Sequence, residues 1–324
     1  LGMPVLIVAL IGSSLPLLYS EESSHAQSFQ QKKMPAYMKG KRRLRVMTFN
    51  VENLFDTKHD TGKLDFAYLP RKVKDKSDKI KRMCHKMGYG KKKCLYLDWN
   101  RKKLKRKMHN LAKAVIANGY PDIIILQEVE NRSVLKELRD KYLPKYIEVV
   151  LVEGDDRRGV DVAMLSKLPL VRPPQAHTIP FRPQKDTRPI LEAHFRLPDK
   201  KVIRVFAFHF PSLFLETRYR AISINYLRKV MSRDDHNLII AGGDSNVKKS
   251  EENLWQKYAK GFVVTNQLGV RGNGSHFYKG KWNLFDVIVF KDTMVSGKAS
   301  NIAGWRYRNN SARVANVYRK QYKY

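Results

Sequence analysis

The run Ile190-Leu191-Glu192-Ala193-His194-Phe195-Arg196 is followed closely by Val202-Ile203-Arg204-Val205-Phe206-Ala207-Phe208, with Pro198-Asp199-Lys200 in the short connection. Two β-type runs so joined leave no room for a crossover helix, so they read as antiparallel neighbours. Asp161 to Leu165 is a third run of the same kind. Elsewhere strand-like and helix-like stretches alternate loosely, which by itself would suit a parallel doubly wound sheet. No Gly-rich phosphate loop opens a helix, however. A mixed, mostly antiparallel α/β sandwich is the better fit.

Outward from this hairpin, Leu44 to Phe49 alternates and is rich in β-formers, which predicts the first core strand. Leu104, Met108, Leu111, Ala112, Val115 and Ile116 fall at helical spacing, with Asn118-Gly119 as the stop and Pro121 before the next strand. A second helix is predicted from Glu216 to Met231, with Tyr219, Ile222, Tyr226, Leu227 and Val230 on its apolar side. No internal repeat is present.

With 324 residues and 43% hydrophobic content the chain can bury a large core, most simply one domain of about 250 to 280 residues plus extra segments. The formal net charge of +33 and pI near 10.1 exceed what solubility needs. They favour a polyanionic partner, either nucleic acid or an anionic membrane surface. Residues 1–26 read as a signal peptide or N-terminal apolar segment, with Ser24-His25-Ala26 offering small residues for cleavage, so the protein is expected to be secreted or periplasmic. No Lys or Arg precedes the apolar run. Residues 27–43 read as a basic linker, and residues 44–324 as the main domain with a Lys/Arg-rich insertion at 58–107. Cys84 and Cys94 could close a small loop in an exported protein, and without a matching His pair they make no zinc site.

Polar residues stand at the ends of, or within, several apolar runs: Asn50, Glu128, His209, Asp244 with Asn246, and Asp286. Strands that deliver carboxylates, amides and an imidazole to one sheet edge can build a metal and phosphate site from residues distant in sequence.

Six stretches in order resemble the motifs of the endonuclease/exonuclease/phosphatase superfamily: Thr48 to Phe55, Leu126-Gln127-Glu128-Val129, Gly159 to Ser166, His209-Phe210-Pro211-Ser212, Gly243-Asp244-Ser245-Asn246 and Phe285 to Val289. That superfamily includes deoxyribonuclease-I-like enzymes, apurinic endonucleases, sphingomyelinases and inositol-polyphosphate phosphatases. The resemblance spans roughly Leu44 to Phe290 and is that of a bacterial-type secreted member. It implies a four-layer α-β-β-α sandwich with the site at one end and a metal-dependent hydrolase acting on phosphoester bonds; the chain is expected to be a monomer.

The chemistry wants these residue types. Glu128 is a hard oxygen ligand suited to Mg²⁺, with Mn²⁺ or Ca²⁺ as alternatives, and the family uses the matching Glu for metal. Asn50 can orient the metal shell or the scissile phosphate, and Asn246 offers a second amide. Asp244 could activate water or bind a second metal. His209 matches a phosphate-side histidine able to donate a proton or hydrogen bond, and Arg188 matches a position that touches substrate phosphate. Asp286 matches the aspartate that pairs with a histidine of a Ser-Asp-His motif near the family's C-terminus.

That motif is missing here. After Asp292 the sequence has no acidic residue and no histidine. A shortened C-terminus, replacement by another histidine such as His276, or a catalytically impaired nucleic-acid-binding relative are the three explanations. The first-choice expectation is a weakly sequence-specific nuclease acting on DNA or RNA, with the 58–107 insertion holding the polymer and Tyr89, Tyr96 and Trp99 either stacking on bases or packing the insertion down. The alternative is a lipid or inositol-phosphate phosphodiesterase or phosphatase, where the charge would serve an anionic bilayer.

Overall fold

The protein is described here by a computed structural model, which covers residues 6–12, 29–88, 90–184, 187–233, 238–278, 280–295 and 305–315. One sheet contains β1 (Leu6–Gly12), β2 (Arg43–Leu54), β3 (Ile123–Val129), β4 (Glu148–Leu151) and β5 (Asp161–Ser166), with β14 (Trp305–Tyr307) and β15 (Arg313–Val314) against β1. The second runs in the order β10 (Phe262–Val264), β13 (Asp286–Lys291), β9 (Leu238–Asp244), β8 (Val202–His209), β7 (Ile190–Arg196) and β6 (Gln175–His177). A small hairpin, β11 (His276–Tyr278) and β12 (Lys281–Asn283), stands apart. Among the described strands only β2 with β3 and β8 with β9 pair in parallel, so both sheets are mixed and mostly antiparallel as the β7–β8 turn predicts.

The alternation of side chains sorts the core into layers. Val46, Ile123, Ile125, Leu191, Ala193, Val205 and Ile240 meet between the sheets. Met47, Phe49, Ile124 and Leu126 face outward against α4 (Arg101–Ala117) and α5 (Arg132–Tyr142). Phe206, Phe208, Ile239 and Val289 face the other way, against α6 (Thr217–Met231) and α7 (Asn253–Tyr258). The result is the four-layer α-β-β-α sandwich. Helix α4 starts where Asn100 accepts the Lys103 N–H, and α5 where Asn131 accepts the Val134 N–H, both ordinary caps for otherwise orphaned donors. Ile116, expected on the apolar side of α4, is 52% exposed because it lies on the last turn, beyond the sheet's cover.

The 58–107 insertion folds into α1 (Arg71–Asp75), α2 (Asp78–Lys86), α3 (Lys91–Tyr96) and the start of α4, with Cys84 and Cys94 disulfide-bonded at its core. The stretch read as a linker is docked: Met38 is fully buried, and Lys41 reaches Asp122 at 2.6 Å. Strand β1 lies inside the expected signal segment and pairs antiparallel with β2; a chain cleaved after Ala26 would lose that strand. Tyr89 and residues 316–324 lie outside the described residues.

A buried ionic hub fixes the β6–β7–β8 edge. Glu192 accepts from Arg204 Nε at 3.0 Å and lies 2.7 Å from His177 Nε2 and 2.6 Å from His194 Nε2. Burial acts to raise its pKa, but these hydrogen bonds and the Arg204 charge outweigh it and hold the carboxyl well below its ordinary value. The carboxylate is therefore bound more strongly in the folded state. Its stabilisation is complete above the ordinary Glu value of about 4.3 and is lost as pH falls below it. Chemical denaturation of Glu192→Gln at pH 7 should show a loss of about 3 kcal/mol, since Arg204 is left without its counter-charge. The gap to the wild type should narrow below about pH 4.

Candidate active site

The two sheets pack tightly at Gly242, where a Cβ would stand 2.7 Å from Ile125 Cδ1. At Gly243 a Cβ would stand 1.9 Å from the Phe208 carbonyl oxygen, so neither position accepts a larger residue without displacing a neighbour. This approach carries Asp244, at the end of β9, to Asn50 on the inner face of β2. Asn50 Nδ2 donates to Asp244 Oδ2 at 3.1 Å and, more weakly, to Glu128 Oε1 at 3.4 Å. Glu128 interrupts the β3–β5 register as a bulge and has φ of +65°, which turns its carboxylate out of the strand and into the site. Glu52 and Asn246 are also left-handed, at φ +51° each. Such strained non-glycine backbone gathers at functional sites.

Asn50, Glu128, Arg188, His209, Asp244 and Asn246 line one cleft of about 410 Å³. Asp286 is the exception among the expected residues. It sits opposite Asp244 in the β9–β13 register, 2% exposed, behind the cleft wall. Burial, with Asp244 as the next cause, pushes its pKa well up and so favours the protonated form. Its Oδ1 has no hydrogen-bond partner among the described residues, and neither does His276 Nδ1 in the cleft, so His276 does not replace the missing histidine by a bond to Asp286.

Burial and the Glu128 charge raise Asp244 to about 6, against the hydrogen bonds from Asn50 and the Asn246 backbone that stabilise its ionised form. Two carboxylates sharing one amide in a buried setting disfavour double ionisation, and a cation beside them relieves it. Among the described residues no three His, Cys, Asp or Glu side chains gather closely enough to hold a metal alone. The Glu128 and Asp244 carboxylates offer hard oxygens to a divalent ion that keeps several waters, whereas Asn50 Oδ1 is spent on the Glu52 N–H at 2.9 Å.

His209 is 5% exposed, and burial together with Arg188 and Arg158 drives its pKa well below the ordinary range. Its Nε2 lies 3.8 Å from Asp244 Oδ2, but a neutral ring makes this a polar contact and no ion pair. Of the two roles expected of His209, donor of a proton or of a hydrogen bond, the lowered pKa favours the hydrogen bond. Asn246 spends its Nδ2 on the Phe210 carbonyl at 3.1 Å, which leaves Oδ1 as its remaining polar atom. Arg188 is half spent. Its Nη1 binds Asp156 at 2.8 Å, while its Nε is buried without a partner, as are Thr187 Oγ1 and His209 Nδ1.

The sequence reading missed Asp156, Arg158, Phe214 and Arg220. Arg158 precedes the Gly159 motif, a signal that was available. Phe214 on the rim is 92% exposed. Its loop is pinned by Arg220, 1% exposed, whose Nη1 donates to the Ser212 and Leu215 carbonyls while Nη2 meets Glu251 at 2.6 Å. Trp99 is 3% exposed and donates to the Phe55 carbonyl, so it packs the insertion and cannot stack on a base; Tyr96 is 63% exposed.

The model of the Endonuclease/Exonuclease/phosphatase family matches residues 93–322, well over half of the chain. The chain belongs to that family. It is thus an enzyme that hydrolyses phosphoester bonds, of a family that uses divalent metals. The match begins after Asn50 and runs beyond Phe290, so it covers a different span from the six motifs. No curated protein matches the chain in sequence. Among solved structures, humanized D. rerio TDP2 is similar at 16% identity over 59% of this chain and 78% of that one, with a TM-score of 0.47. A Bacteroides thetaiotaomicron mannosyl-6-phosphatase is similar at 18% identity over 60% and 82%, TM-score 0.47. A Staphylococcus aureus beta toxin mutant with bound magnesium ions is similar at 17% identity over 60% and 78%, TM-score 0.45.

Asn50→Asp tests the shared amide. It removes the only side-chain donor found between Asp244 and Glu128 among the described residues and adds a third carboxyl group. In EDTA the variant should lose about 2 kcal/mol of stability. Thermal melting should show part of that loss recovered on adding Mn²⁺.

Proposed function

We propose that the protein is a divalent-metal-dependent phosphodiesterase that cleaves nucleic acid with little sequence preference. The observation that carries this reading is that the carboxylates of Glu128 and Asp244 share one cleft of about 410 Å³ with Arg158, Arg188 and His209. Carboxylates that suit a cation, set beside guanidiniums that suit an anion, are what metal-assisted phosphoester cleavage needs. Mg²⁺ or Mn²⁺ on Glu128 and Asp244 would supply positive charge to the phosphate oxygens.

Arg188 and Arg158 draw the phosphate in and face the charge that develops on it. Asp244, with a pKa near 6, is ionised at neutral pH and can take a proton from water, which Asn246 Oδ1 helps to orient. Neutral His209 lends a hydrogen bond to a phosphoryl oxygen. Protonating His209 in so buried a place is costly, so acid should weaken the site.

The polymer preference rests on the charge of +33 and on the rigid rim, where Phe214 is offered to a base for stacking. Export to the periplasm or beyond is part of the reading, supported by the Cys84–Cys94 disulfide. Leu213 and Leu215, 39% and 36% exposed beside Phe214, favour a second reading in which the tip enters an anionic bilayer and the substrate is a lipid head group.

With supercoiled plasmid, nicking in Mg²⁺ should stop in EDTA and fall by a factor of about 10³ in Glu128→Ala. Phe214→Ala should weaken single-stranded substrate binding by about 1 to 3 kcal/mol. Hydrolysis of phospholipid vesicles with plasmid left intact would replace the nuclease by the second reading.

A further inference from the structure

A second basic concavity lies at the opposite end of β2 and takes no part in this chemistry. Lys41, Arg43, Arg45, Arg271, Arg308 and Arg313 line a cleft of about 870 Å³ whose wall, among the described residues, contains no carboxylate. Arg45 and Asn50 are five positions apart on β2, which places the two clefts roughly 17 Å apart along the strand at ~3.3 Å per residue.

Several features fix these cations in place. Arg45 Nη1 donates to the Gly119 carbonyl at 3.2 Å, and Gly119, with φ of +81°, has no Cβ to push the guanidinium away. Arg271 and Arg313 are bridge partners: the Arg271 N–H donates to the Ala312 carbonyl at 3.2 Å and the Val314 N–H to the Arg271 carbonyl at 2.8 Å. Backbone pairing thus sets two like charges side by side, an arrangement that destabilises a sheet. Burial, Arg271 and Arg45 together lower the Arg313 pKa. The nearby Asp122 is already engaged, accepting from Lys41 Nζ at 2.6 Å, the Arg45 N–H at 2.9 Å and Lys167 Nζ at 3.2 Å. Like charges held together by the backbone, with no acid among the described residues of the wall, suit an anion as their partner.

The shape and charge select its class. With Lys41 paired to Asp122, the five arginines still exceed the charge of a single phosphate group, and the volume holds several such groups. A bilayer surface cannot enter a concavity, and among the described residues the only apolar side chain in this wall is that of Ala117. A flexible chain of phosphodiesters satisfies both conditions. We propose that this basal cleft is a second polyanion site, which holds a segment of nucleic-acid backbone apart from the hydrolytic cleft and so retains the protein on a polymer. The strand held there need not be the substrate, so the proposal goes beyond the functional reading and can fail separately from it.

The test is equilibrium binding of a short fluorescent single-stranded oligonucleotide to the whole protein in EDTA, across a salt series. Arg271→Glu with Arg313→Glu should weaken binding about tenfold at low salt and reduce the slope of log K against log salt by ~1.4, at ~0.7 for each phosphate no longer neutralised. Arg271→Gln with Arg313→Gln should act in the same direction and serves if the reversal fails to fold, as judged by thermal melting. Lys229→Glu with Lys260→Glu changes net charge equally at exposed positions that line neither cleft. The proposal is overturned if the Arg pair leaves the slope unchanged, if the Lys pair costs as much, or if the Arg pair loses only binding to anionic-lipid vesicles.

Discussion

One side-chain amide joins the two sheets at the point where the chemistry gathers. Asn50 comes from the first sheet and donates both to Glu128 of that sheet and to Asp244 of the second. The contact exists because Gly242 lets the sheets close on Ile125 just before Asp244 emerges. A wider spacing would separate the carboxylates and leave each to solvent. Instead they share a buried donor, Asp244 is pushed toward neutrality, and the bulge at Glu128 aims its carboxylate at the same space. The site is thus a region of stored electrostatic cost, held by a densely packed core between the sheets and helices on both outer faces.

Much of this was legible in the residues. The short β7–β8 turn gave the antiparallel pairing, and the polar residues at apolar strands marked the site; five of those six line the cleft, and so does Arg188. What escaped were properties of tertiary packing. No pattern along the chain says that Asp286 withdraws behind Asp244, or that His209 is buried enough to stay neutral. Arg220 reads as one more surface cation on an amphipathic helix, yet it is buried and builds the rim that displays Phe214. Ile116 shows the converse, an apolar residue at helical spacing left uncovered by its neighbours.

The abundance of cations does not map simply onto a binding surface. Lys74 is buried in the insertion and donates to the carbonyls of Ala67, Cys94 and Leu97, and burial lowers its pKa to about 8. Lys107 is likewise lowered to about 8 by burial, against the pull of Glu52 and Glu128. Such residues replace apolar core in a segment with few hydrophobic side chains. The charge free to meet a polyanion is therefore smaller than +33 suggests, and its placement matters more than its sum.

The central claim is that the Asn50-bridged carboxylates form a cation site whose ionisation is coupled to occupancy. Calorimetric titration of Mn²⁺ into the protein at pH 6, in buffers of different ionisation enthalpy, tests it most directly. The account expects one ion per chain and release of about half a proton, since Asp244 is near its midpoint there. Absence of saturable binding, or binding with no proton released and unaffected by Asp244→Asn, would contradict it.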